Sequence, residues 1–222
     1  MKIVEIKLRR KSVCGLLFDV EVDPVLWGAD PDAAGWLSLD AELCEMKHLK
    51  IGTELSDEEL AALIEESHIK RAKSRAMWYV SQSDYCKKGL VKKLLNSFPE
   101  YAAIAAVDRL EELGLINDSS YALRRLQRIL EDKKVSLKMA KQLLLAEGLE
   151  RETVDLAAEG LEYDQDDALL ELIERKYKGK LNCKKDVDKM MSALLRKGYS
   201  YGDIKTALEG LEIEISFTEE EP

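Results

Sequence analysis

A repeat of about fifty residues constrains this chain more than any other feature of its sequence. Paired leucines recur with a spacing of 50 residues, at Leu94-Leu95, Leu144-Leu145 and Leu194-Leu195. Other positions keep the same phase, namely Leu110, Leu161 and Leu211; Gly148 and Gly198; and Arg75, Arg125 and Arg175. Self-similarity at such a period is typical of tandem arrays, in which each unit buries its apolar face against its neighbours. We therefore expect an elongated repeat protein with a long surface for a large partner.

Each repeat is predicted to contain three helices. The helices are expected at 69–82, 86–97 and 100–113, then at 118–132, 136–147 and 150–161, and finally at 165–178, 183–197 and 201–211. Residues 100–221 contain no proline that would interrupt them. Helix starts are predicted from the capping residues Asn117 or Asp118, Ser136 and Ser200, and helix ends from Gly114, Gly148, Gly179 and Gly198.

The first fifty-five residues have a different pattern. Residues 3–8 and 13–22 are rich in β-branched side chains and partly alternate, which predicts two short strands, and residues 28–32 read as a loop. Ser56 and Glu59 have the spacing of a capping box, so a short helix should run from Asp57 to about Ser67. The fold class is thus mainly α, with three three-helix repeats and a small β-containing extension. The expected divisions are an extension at 1–55, a linking helix at 56–68, repeats at 69–116, 117–163 and 164–211, and an acidic tail at 212–222.

Composition favours a cytoplasmic, non-membrane protein, and we expect a monomer. The chain is 46% hydrophobic and 35% charged, it opens without a secretory signal pattern, and no apolar run approaches the roughly 18 residues of a transmembrane helix. The cysteines lack the paired spacing of a zinc site, so reduced thiols are expected at Cys14, Cys44, Cys86 and Cys183.

The sequence offers no pattern of catalytic residues. It has neither a dinucleotide-binding glycine motif nor a phosphate-binding loop, and His48 and His68 lie near no recognisable nucleophile motif. Acidic pairs such as Asp166 and Asp167 stand where a helix should begin, where carboxylates stabilise the helix dipole. We therefore expect no enzyme activity, no cofactor, no metal and no small-molecule substrate.

Charge is distributed unevenly along the chain. Residues 1–68 carry 7 basic and 15 acidic groups, residues 69–149 carry 16 and 9, and residues 150–222 carry 11 and 19, giving net charges of -8, +7 and -8. A basic segment inside an acidic chain indicates an acidic partner, either protein or nucleic acid. A solvated polar face is the alternative interpretation.

The basic residues fall on predicted helix faces. In the helix at 118–132, a step of 100° per residue separates an apolar face from a polar face. The apolar face holds Ala122, Leu126, Ile129 and Leu130, and the polar face holds Tyr121, Arg124, Arg125 and Arg128. Lys88 and Lys92 are neighbours on the helix at 86–97, and Lys138 and Lys141 add to the second repeat. These eight tyrosine, arginine and lysine side chains are the candidate partner or DNA contacts, because guanidinium groups bind carboxylates and phosphates with paired hydrogen bonds.

Trp78 and Tyr79 have two interpretations. Adjacent aromatic rings beside basic residues could stack on nucleic-acid bases. Both lie in a helical run with Ala72, Ala76 and Val80, however, and this context favours packing of Trp78 in the core.

The order of these motifs resembles the RecX family of regulatory proteins. The resemblance covers about residues 56–211. It rests on residues 71–81, residues 90–95, residues 107–122 with their Leu-x-x-x-Gly-Leu-Ile-Asn-Asp-x-x-Tyr-Ala run, and the later turns at 144–148 and 194–198. It implies an all-helical repeat protein that binds the filament of RecA recombinase on single-stranded DNA, lodges in its groove, and inhibits strand exchange and ATP hydrolysis, with no active site or cofactor of its own.

Three hypotheses remain open from the sequence. The first is this RecX-like regulator of the recombinase filament. The second is a stand-alone single-stranded nucleic-acid-binding protein that uses the central basic face. The third is a helical-repeat adaptor with an unrelated protein partner.

Overall fold

The computed structural model describes residues 2–12, 15–22, 35–181 and 184–211. The predicted loop at 28–32, the acidic tail, Cys14 and Cys183 lie outside the described residues. The chain divides into two compact units, Met1–Asn117 and Asp118–Pro222. Among the helices of the described ranges, none combines the length and the apolar character needed to cross a membrane.

The first unit begins with a three-stranded antiparallel sheet. Strands β1 (Ile3–Ser12), β2 (Gly15–Val22) and β3 (Trp36–Asp40) lie in the order β1-β2-β3, and helix α1 (Ala41–Met46) follows directly. The two predicted strands are confirmed, whereas β3 was not predicted, because five residues are too few for alternation to stand out. The sheet packs on the next helix through a core of Ile3, Val20, Leu39, Leu43, Cys44, Leu60 and Leu63.

One long helix joins the sheet to the first repeat. Helix α2 runs without a break over Asp57–Gln82, so the prediction of a short helix followed by a separate helix from residue 69 was wrong. The predicted capping box is confirmed, since the Ser56 Oγ accepts from the Glu59 N–H at 3.1 Å and Glu59 accepts from the Ser56 N–H at 2.8 Å. Ser67 does not end the helix. It is buried, and its Oγ accepts a hydrogen bond from the Asp40 N–H of the sheet.

The remaining helices follow the predicted three-helix pattern. The first unit is completed by α3 (Lys87–Leu94) and α4 (Glu100–Glu112). The second unit contains α5 (Asp118–Lys133), α6 (Leu137–Glu147), α7 (Arg151–Glu159), α8 (Gln165–Lys176), α9 (Lys184–Arg196) and α10 (Tyr201–Gly210). The recurring leucines Leu94, Leu144 and Leu194 are all fully buried. The described part of the chain is therefore mainly α, with ten helices and one small sheet.

Glycines end three of these helices as predicted. Gly114, Gly148 and Gly198 have φ values of 69°, 104° and 90°, the left-handed conformation that glycine adopts without a Cβ clash. The same prediction for Gly179 was wrong, because this residue lies within the 3₁₀ turn Lys178–Lys180 that follows α8. Ser136 caps α6, accepting from the Met139 N–H at 3.2 Å.

Within the second unit, the second and third repeats pack closely at Gly198. The Ser136 N–H donates to the Lys197 carbonyl at 3.0 Å, and the Leu137 N–H donates to the Gln165 side chain at 2.9 Å. A Cβ on Gly198 would lie 2.5 Å from the Ser136 Oγ. Gly198 is therefore required both for its positive φ and for this close approach.

Candidate partner-binding surface

Helix α5 divides into the two predicted faces. Ala122, Leu126, Ile129 and Leu130 are all buried, which confirms the apolar face. Arg124 and Arg128 are exposed on the polar face, whereas Arg125 and Tyr121 are half-buried. The four polar residues thus share a face, but they differ in how much of each side chain a partner could reach.

Arg125 is engaged inside the second repeat. Its Nε and Nη2 donate to the Glu147 Oε1 at 3.0 and 2.6 Å, and the Tyr121 hydroxyl donates to the Glu147 Oε2 at 2.9 Å. Burial alone would raise the pKa of Glu147, but the hydrogen bonds from Arg125 and Tyr121 outweigh it and hold that pKa below its ordinary value. The trio joins α5 to the end of α6, so Arg125 and Tyr121 stabilise the repeat in the free protein.

The four candidate lysines also differ. Lys141 Nζ lies 2.9 Å from the Asp155 Oδ1, an ion pair between α6 and α7. Lys138 is exposed and lines a cleft of about 540 Å³, together with Gln142, Gln165 and Asp203 among other residues. Lys88 and Lys92 are exposed on α3. Lys88, Lys92, Lys138 and Arg128 form no ion pair with another described residue, so these four candidates are available to a partner.

The structure overturns the core assignment of Trp78. Trp78 is 41% exposed, because Ala72 and Ala76 face the core and a residue two positions further along the helix points away from it. The Arg75 guanidinium lies 5.5 Å from the Trp78 ring centre and 5.6 Å from that of Tyr79. The Lys93 Nζ lies 5.7 Å from the Tyr79 ring centre. The spacing of the two alanines was the sequence signal that could have placed Trp78 outside.

Comparison with known proteins points to one family. The family model described as "RecX, third three-helix domain" matches residues 162–208, which contain α8, α9 and most of α10. A protein of Clostridioides difficile (strain 630) named "Regulatory protein RecX" is 28% identical over 179 residues, covering 79% of this chain and 84% of that protein. One of the same name from Clostridium beijerinckii is 26% identical, covering 89% of this chain and 88% of that protein. These matches support a relationship of the chain to the RecX family.

Solved structures of RecX proteins have the same fold. A structure titled "Crystal structure of regulatory protein RecX" matches with a TM-score of 0.61 at 20% identity, over 94% of this chain and 98% of that one. The RecX of Lactobacillus salivarius matches with a TM-score of 0.57 at 23% identity, over 67% of this chain and 99% of that one. The repeat fold predicted from the sequence is thereby confirmed.

Proposed function

We propose that this chain is a regulatory protein that binds the filament of RecA on single-stranded DNA and inhibits its strand exchange and ATP hydrolysis. Curated relatives of this chain are named regulatory proteins, and the RecX resemblance implies the RecA filament as their target. The role is one of binding, and the chain contributes a surface to the filament.

The observation that carries the proposal is the charge found at one equivalent position in each of the three repeats. Lys88, Lys138 and Asp188 follow each other at spacings of 50 residues, each two positions before a buried residue of α3, α6 or α9. All three side chains are exposed. The first two repeats therefore offer a cation where the third offers a carboxylate. A polyanionic filament would attract the first two positions and repel the third.

The test is the ATPase activity of RecA on single-stranded DNA, titrated with this chain. We expect the rate to fall as the chain is added. The double reversal Lys88→Glu with Lys138→Glu should remove most of this inhibition, and it should leave the fold intact because both residues lie near helix N-termini, where a carboxylate is favourable.

A matched control reverses two exposed lysines of the third repeat, Lys185→Glu and Lys205→Glu, so that the net charge changes equally. This control should still inhibit. An ATPase rate that does not respond to the unaltered chain contradicts the proposal, and equal loss in both double variants would indicate a net-charge effect rather than this surface.

A further inference from the structure

The end of α2 and the facing part of α3 carry four side chains that we name the stacking cluster: Arg75, Trp78, Tyr79 and Lys93. The rings of Trp78 and Tyr79 lie 5.2 Å apart at a tilt of 57°. Arg75 packs on both rings and Lys93 packs on Tyr79. Tyr85 also contacts Tyr79, with the two ring centres 6.0 Å apart in an edge-on arrangement. Because each member contacts another, the cluster presents Trp78 to solvent from a fixed support.

The cations of the cluster have no carboxylate of their own. Residues 70–93 contain eight basic side chains and one acidic side chain, Asp84. Neither Arg75 nor Lys93 pairs with a carboxylate anywhere in the described ranges, and the Arg75 Nε is buried without an acceptor. A cation held on aromatic rings without an anion is an electrostatic site that a negatively charged ligand can complete.

The equivalent arginine of the second repeat is neutralised by a carboxylate that the first repeat lacks. Arg75 and Arg125 each lie three residues after a buried alanine, Ala72 or Ala122. Arg125 is neutralised by Glu147, which follows the buried Leu144 by three residues. The residue three positions after the corresponding Leu94 is Ser97, which has no charge. The first repeat thus keeps the arginine and lacks the carboxylate.

We propose that the stacking cluster binds single-stranded nucleic acid, with an unpaired base stacked on Trp78 and the adjoining phosphates at Arg75 and Lys93. An exposed ring matches the flat face of a base, and base stacking on aromatic side chains is sequence-tolerant. The two cations match the phosphates on either side. A duplex is a poorer ligand, because its bases are already stacked on each other. The inference does not depend on RecA, and it is tested without RecA.

The experiment uses the full chain and an oligonucleotide of about fifteen thymidines in low salt. The chain has three tryptophans, so Trp27→Phe with Trp36→Phe leaves Trp78 as the sole tryptophan. Its fluorescence should be quenched as the oligonucleotide binds. In the otherwise unaltered chain, Trp78→Ala should weaken binding about tenfold, the effect expected for one lost stacking contact, and Trp78→Phe should weaken it less.

The control for Trp78→Ala is Met77→Ala, which truncates an adjacent apolar side chain that is 52% exposed and should leave affinity unchanged. The double variant Arg75→Gln with Lys93→Gln should reduce the slope of log affinity against log salt by about 1.4, since each contact to a phosphate of a single strand contributes about 0.7. Circular dichroism checks that each variant is folded.

Four results would overturn the inference. They are the absence of oligonucleotide binding by the unaltered chain at about 50 mM salt, an unquenched Trp78 at saturation, equal affinity of Trp78→Ala and Met77→Ala, and equal affinity for a blunt duplex. The first of these, together with capture of an acidic peptide by the cluster, would assign the cluster to a protein partner instead.

Discussion

Arg75 and Arg125 occupy the same position in consecutive repeats and have opposite surroundings. Arg125 binds the Glu147 carboxylate with paired hydrogen bonds, whereas Arg75 lies on two aromatic rings and pairs with no carboxylate of the described chain. A repeat conserves its buried positions because packing demands them, while the surface positions can diverge. A shared spacing therefore identifies equivalent positions in the repeats. The residues around each position decide whether the arginine stabilises the fold or can bind a partner.

The third repeat shows the limit of spacing as a guide. Arg175 follows Arg125 by 50 residues, yet the buried Leu169 and Ile173 of α8 follow Ala122 and Leu126 by only 47. Arg175 therefore takes a different position on its helix. Its side chain is 73% exposed and pairs with Glu171 one turn earlier, an interaction typical of a solvated helix face.

The largest loss of stability is expected from reversing the charge of Arg125, which pairs with Glu147. Arg125→Glu would place two half-buried carboxylates in contact, so we expect the free energy of unfolding to fall by about 3 kcal/mol. Arg75→Glu should cost about 1 kcal/mol, because it removes contacts with two aromatic rings and leaves no carboxylate unpaired. Urea unfolding followed by circular dichroism measures both. If the two variants are equally stable, the comparison of the two arginines fails.

The next effect tests the packing that fixes the second repeat against the third. Gly198→Ala should lower the free energy of unfolding by about 2–3 kcal/mol, because it adds a positive-φ penalty to the clash with Ser136. Gly114→Ala is the matched control, since its φ is also positive but a Cβ there meets nothing within 4 Å. It should cost about 1 kcal/mol. Equal costs would mean that the contact at Gly198 contributes nothing.

A smaller effect should appear in the dependence of stability on pH. The pKa of Glu147 is lowered in the folded state, so its stabilisation is present above the ordinary carboxyl pKa near 4.5 and is lost as the pH falls through the lower folded pKa. We expect the unaltered chain to be more stable than Glu147→Gln at pH 7, and the difference to shrink below about pH 4.5. Unfolding by urea at several pH values measures this. A difference that does not vary with pH would show that the Glu147 charge is not what Arg125 and Tyr121 stabilise.

The smallest effect is expected from giving the first repeat the carboxylate that it lacks. If position 97 corresponds to position 147, Ser97→Glu should weaken binding of a thymidine oligonucleotide about threefold, because a carboxylate placed there would compete with phosphate for Arg75. Ser97→Gln is the uncharged control and should bind as the unaltered chain does. Tighter or unchanged binding by Ser97→Glu would show that position 97 does not correspond to position 147 in the fold.

Local sequence signals predicted most of the helices. They could not predict contacts between residues far apart in the sequence. Ser56, Ser136 and Gly148 fix helix ends through bonds within a few residues, so these ends could be predicted from the sequence. The predicted end of α2 at Ser67 was wrong, and there the Ser67 Oγ accepts a hydrogen bond from the Asp40 N–H of the sheet, a contact 27 residues away in sequence that local signals do not report.

The candidate site was predictable to the same extent. The amphipathic pattern alone placed Arg124, Arg125, Arg128 and Tyr121 on one face. The pattern could not show that Arg125 is paired within the protein. Its partner, Glu147, lies 22 residues further along the chain, and helical periodicity carries no information about that contact.

The proposed function requires this chain to recognise RecA and single-stranded DNA assembled together. Co-sedimentation with RecA filaments formed on a long single strand tests it directly, with RecA alone and DNA alone as parallel samples. We predict that the chain pellets with the filament, and that Lys88→Glu with Lys138→Glu stays largely in the supernatant while the Lys185→Glu, Lys205→Glu control pellets. A chain that stays in the supernatant with the filament at micromolar concentrations would contradict the account.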